Sequence, residues 1–279
     1  MKKHLKIITA LAIGVAAICG ASCTQTGNHN TTKTITDTLS NVQKQAFNQA
    51  KAVFYALPSP VETATTLEVL GLKFTDEYLN ATSNVEKYNT TSTEALNLGV
   101  YTADLSFCAL YEQNQAVIEY LASVKKLAEQ LGIMGFFNDS TITTIQDNIN
   151  NKNKIVGIVS ESYTRSTNFL EEQERSEIAS TVIVGGWVET LYITINMLES
   201  IDINKNRTDI NEIMINQEYT LEDLIGMLKL FSDDNNIAQL QNKLEELKTH
   251  FDKITDEVKA ENIADIKEAV TTLRNNFIQ

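Results

Sequence analysis

Asp104 and Glu189 are two acids in surroundings where an acid is costly. Asp104 lies in GVYTADLSFCALY and Glu189 in GGWVETLYI, each among apolar neighbours. A buried carboxylate without a partner is strongly unfavourable, so each needs a cation, a donor or a proton. Steps of three and four place Tyr101, Asp104, Cys108 and Tyr111 on one helical stripe. Trp187 and Tyr192 flank Glu189. Two readings follow. In one, Tyr101, Asp104, Trp187, Glu189 and Tyr192 line a small pocket for a cation, an amine or a peptide side chain. In the other they form a sealed polar cluster that fixes helix register, with the acids bonded to Tyr hydroxyls, Thr or a lysine. Two carboxyls could also act as the acid and base of a glycoside hydrolase, but that depends on a separation the sequence does not give.

Other chemistry is scarce. Of three histidines only His250 lies outside the N-terminal segment, and of three cysteines only Cys108 does. Zinc sites need several such ligands and triad chemistry needs a histidine, so the sequence suggests neither metal nor cofactor. Cys108 reads as a small core residue with no partner for a disulfide. The formal charge of −13 repels phosphates and argues against a nucleic-acid partner.

The elements that position these residues read as helices throughout. Pro58 ends a first helix carrying Leu39, Val42, Ala46, Val53 and Leu57. Ser59, Pro60 and Glu62 start another, which Gly71 closes. Ser83 with Glu86, and Thr91 with Glu94, have capping-box spacing. Thr93 to Leu131 reads as one long helix or two in line, its first half apolar all round and therefore central, with Gly132 as its stop. Residues 140–151 make a short polar helix at best, 155–170 another helix, and 171–177 a charged turn. Residues 178–201 are the most apolar part of the body. There a helix competes with a hairpin around Gly185-Gly186; the helix is preferred because nothing else offers strands to pair with. Each of those glycines costs about 1 kcal/mol in a helix, which close helix contact or room for a ligand would have to offset.

Thr220 with Asp223 has the spacing of a further helix start, and 207–214 reads as a hinge. Ile237, Leu240, Leu244, Leu247, Phe251, Ile254 and Val258, then Ile263, Ile266, Val270, Leu273 and Phe277, make two apolar stripes. They predict a helical hairpin with its break between 252 and 262, packed on its own bundle or offered to a partner. The expected fold is all-α, an antiparallel bundle of about seven to nine helices with a C-terminal hairpin. The expected body is a bundle over 36–205 followed by C-terminal helices over 206–279.

The first residues carry an address. Lys2, Lys3 and Lys6 precede an apolar run, and Gly20-Ala21-Ser22 stands directly before Cys23. This resembles a bacterial lipoprotein signal over 1–22, with Cys23 the lipidated first residue of the mature chain. An ordinary secretory signal and an uncleaved anchor are the alternatives. The apolar run is shorter than the ~20 residues of a spanning helix. Gly20 departs from the pattern, which has an aliphatic residue there. Three lysines and no acid leave with the signal, taking the formal charge from −13 to −16. Residues 23–35 make a polar tether, about 20 Å long as a coil. The absence of an acid just behind Cys23 implies, by that resemblance, the periplasmic face of the outer membrane, with the lipid as membrane partner and an envelope protein as a possible second partner.

NLGVYTADLSFCALY, YLASVKKLAEQLGI and GGWVETLYI together resemble an all-helical lipoprotein family of Bacteroidetes-type Gram-negative bacteria that has no assigned activity. The resemblance covers about 93–195 and implies no particular activity; the scarcity of catalytic residue types in the body points to a non-enzymatic binding or scaffold protein. Residues 99–104 also echo the GxHxxE of imelysin-like periplasmic proteins, but Tyr101 replaces the histidine and Asp104 the glutamate, so no metal role carries over.

Overall fold

The computed structural model describes residues 67–68, 70–133 and 137–279. The signal, Cys23, the tether, the helix over 39–57 and the start at Ser59 lie outside them. The described residues contain eight α-helices, one short 3-10 helix at Thr82–Lys87 and no strand. The helices are α1 (Thr91–Leu110), α2 (Asn114–Gln130), α3 (Asp139–Asp147), α4 (Lys152–Glu172), α5 (Ser176–Leu198), α6 (Arg207–Lys229), α7 (Asn235–Phe251) and α8 (Ala260–Ile278). The all-α bundle read from apolar periodicity is what forms.

The two most apolar segments become the two central helices. From Ala95 to Leu110 every residue of α1 is buried, and α5 is buried nearly as completely. α5 is long and apolar enough to cross a membrane, but 83% of its most apolar window is enclosed by the fold, as in the core helix of a bundle. α1 and α5 make the largest helix contact of the structure, and α2, α4, α6 and α8 pack around them. Helices joined by short turns run antiparallel. α1 and α5 run the same way, as the pairing of Leu96 with Gly185 and the meeting of Asp104 with Glu189 show.

Glycine sets their separation. A Cβ on Gly99 would sit 2.1 Å from the Val182 carbonyl oxygen, and one on Gly185 would sit 2.1 Å from that of Leu96. The backbones are therefore in direct contact, and the helical cost of Gly185-Gly186 is offset by packing. Residues 181–195 are helical, not a hairpin.

Several local expectations need correction. Residues 93–131 are neither one helix nor two in line. The chain turns back at Tyr111–Gln113, and α2 packs against α1. That turn contains no glycine; Glu112 takes φ +55 itself. Glu174 does the same, φ +59, between α4 and α5. The α1 capping box is Thr90 with Thr93, one residue earlier than expected. Ser83 caps nothing, since the 3-10 helix has no side-chain cap. Thr220 lies inside α6 and bonds back to the Asn216 carbonyl, so it starts no helix. Residues 207–214 are the first turns of α6, and the connection to α5 is the preceding 199–206. Other stops fall as read. Gly71 and Gly132 have φ +77 and +73, and the C-terminal hairpin breaks between Phe251 and Ala260.

Candidate functional site

The buried acids meet each other and an arginine. Asp104 on α1 and Glu189 on α5 are fully enclosed, and their carboxyls lie within hydrogen-bond reach. Arg274 on α8 grips Glu189 with Nε and Nη2, each 2.7 Å from one carboxylate oxygen. This planar two-point pairing is the strong form of the Arg–carboxylate bond. Arg274 also lies over the Tyr192 ring, 4.3 Å from its centre, and is itself only 6% exposed.

Two acids facing one cation leave a charge to settle. Burial, and then the negative charge of Glu189, push Asp104 well above its ordinary value. Glu189 is also raised by burial, but its bonds to Arg274 hold it back. Glu189 is thus the carboxylate and Asp104 keeps its proton. Geometry agrees. Asp104 Oδ2 accepts the Asn80 N–H at 3.2 Å, while Oδ1 has no donor facing it. A protonated Oδ1 donates to Glu189 and satisfies both groups.

The cluster reaches beyond the helix pair to a strap, residues 72–81, that runs without regular structure from Gly71 to the 3-10 helix. Its backbone is held by core side chains. Tyr111 OH donates to the Leu72 carbonyl at 3.2 Å, Arg274 Nη2 to Tyr78 at 3.0 Å, Tyr120 OH to Asn80 at 3.1 Å, and Tyr101 OH to Ala81 at 2.8 Å. The Asn80 side chain donates to Tyr88 OH at 3.0 Å. Tyr78 packs edge-on against Tyr192, ring centres 6.4 Å apart. Burial raises the Tyr101 and Tyr120 phenols far above their ordinary value and Tyr111 to about 12, so all three remain donors.

Five of the six residues singled out from sequence therefore converge on one task. Tyr101, Asp104 and Tyr111 bond the strap directly; Glu189 and Tyr192 hold the arginine that bonds it. Trp187 does not join them. Its indole N–H donates to Gln217 Oε1 on α6 at 2.9 Å. Cys108 is a buried free thiol, raised by burial. Sequence reasoning missed Arg274, Asn80, Tyr88 and Tyr120. Arg274 had a signal: it lies four residues after Val270 and three before Phe277, on the apolar stripe of α8.

The outer side of the strap forms one wall of an open cleft of about 570 Å3. The α1–α2 turn and the start of α2 form the other wall. Asp104 and Glu189 do not line it. No group of His, Cys, Asp and Glu suited to a metal ion occurs among the described residues. No protein-family model matches this chain, nor does any curated protein or solved structure.

Proposed function

We propose that this chain is a lipid-anchored protein of the cell envelope, on the periplasmic side of the outer membrane, and that it acts by binding or scaffolding rather than by catalysis. The order of the first 23 residues, positive, apolar, small and then Cys23, supports the address. The likeness of 93–195 to uncharacterised helical lipoproteins agrees with it. The non-catalytic reading rests on one observation: the cation expected beside Asp104 and Glu189 is Arg274 of the same chain, locked on Glu189 by two bonds. Groups engaged with one another in this way fix structure and leave little free for an acid–base cycle.

The test is metabolic labelling with an alkyne fatty acid in a Gram-negative host. Wild type takes the label and sediments with outer membranes. Cys23→Ala takes none and is released or held by an uncut signal. Equal labelling of both proteins would end the lipoprotein reading.

A further inference from the structure

We infer that one water molecule binds between α1 and α5 as part of the folded core, joining the two helices through their hydroxyl groups. The inference goes beyond the binding role proposed above and does not depend on lipidation. A cavity of about 10 Å3 lies between these helices, about two turns past the contact of Gly99 with Gly185. Its walls include Ala103, Ser106 and Phe107 of α1, and Thr190, Ile193 and Thr194 of α5.

Thr194 is the residue that points to a ligand. It is only 1% exposed, and its hydroxyl has no hydrogen-bond partner among the described residues. A buried hydroxyl in that state costs free energy. The usual local remedy is not taken. Ser180, Thr181 and Thr190 on the same helix each donate to the carbonyl four residues back, at 2.8 Å. Thr194 makes no such bond to the Thr190 carbonyl, so its hydroxyl is turned elsewhere, on the wall of the cavity.

The neighbouring hydroxyls offer the complementary groups. Ser106 donates to the Thr102 carbonyl and Thr190 to that of Gly186, each at 2.8 Å. Their protons are committed, but each oxygen keeps a lone pair that can accept. A water therefore donates to Ser106 and to Thr190, and accepts from Thr194. Three bonds are the usual number for a buried water, and the cavity is at the ~10–15 Å3 that one water needs. No lining residue is charged, so an ion of similar size would sit there without a counter-charge. Ser106 comes from α1 and both threonines from α5, so the water ties one central helix to the other.

The test combines a high-resolution crystal structure of the full chain with urea melts. Wild type shows a single density peak about 2.7–3.0 Å from the three hydroxyl oxygens. Thr194→Ser keeps the hydroxyl and keeps the peak. Thr194→Val keeps the shape and removes the donor. It lowers the folding equilibrium constant about fivefold or more, because the water loses a bond or leaves a gap behind it. In a dry cavity the sign reverses, since Val relieves an unsatisfied hydroxyl and stabilises the fold. A wild-type cavity without density, loss of the peak in Thr194→Ser, or a Thr194→Val protein at least as stable as wild type overturns the proposal. Each of these results leaves acyl labelling at Cys23 untouched, so the two readings fail separately.

Discussion

Asp104 holds its proton because three things coincide: full burial, an ionised Glu189 beside it and only one cation for two acids. The sign of its effect on stability follows. Well below its ordinary value of 3.8 the proton is bound in folded and unfolded chain alike. As pH rises above that value the unfolded chain releases the proton while the folded chain keeps it, and stability falls by about 1.4 kcal/mol per pH unit until the folded group titrates. Asp104→Asn retains an acceptor for Asn80 and supplies an N–H for Glu189 without the proton. It should match wild type below about pH 3 and exceed it increasingly toward pH 8 in urea melts. Parallel pH profiles for the two proteins would show that Asp104 is not the proton holder. Asp104→Ala strips the donor from Glu189 and the acceptor from Asn80, and should lose about 2–4 kcal/mol below about pH 3, a deficit that narrows as pH rises because this variant also lacks the retained proton. The need for a partner was legible in the sequence, because an acid among apolar residues is costly. The partner was not, because Arg274 is distant in sequence from both acids and a guanidinium on an apolar stripe looks like a surface residue whose stem is covered.

The α1–α5 crossing makes a prediction at the scale of the element. Gly99→Ala and Gly185→Ala each drive a methyl into a backbone carbonyl of the facing helix. Since backbone cannot step aside as a side-chain tip can, each should lose about 3 kcal/mol or more. Gly157 and Gly226 are helical too but face open space. Replacing them with Ala should gain about 0.5–1 kcal/mol each, and thermal melts of the four variants test the contrast. Helix type and rough extent were readable here because period-3.6 apolar spacing survives along the outer helices, while the two central ones read as long segments apolar on nearly all sides. The reversal at Tyr111–Gln113 was not, since a chain normally turns there on glycine or asparagine and this one places Glu112 in the left-handed region. Caps slipped for a related reason: several Ser and Thr residues with suitable spacing compete, and tertiary contacts pick the winner, as with Thr90 over Thr91.

Across the whole molecule, the C-terminal helix closes the polar core. Through Arg274 it neutralises Glu189 and fixes the strap at Tyr78, and near its end the Phe277 carbonyl accepts a bond from Asn97 at 2.7 Å. The apolar stripe of α8 was legible as a packing face, but the one charged residue on it carries the connection to α1, α5 and the cleft wall. The most direct test is a double-mutant cycle on Glu189 and Arg274 by urea denaturation at pH 7. Arg274→Met leaves a buried carboxylate uncompensated and should cost about 3–5 kcal/mol. Adding Glu189→Gln should recover part of that loss, with a coupling of about 2 kcal/mol or more. A cost below about 1 kcal/mol for Arg274→Met, or additive effects of the two changes, would contradict the claim that Arg274 is the counter-charge of the buried acids.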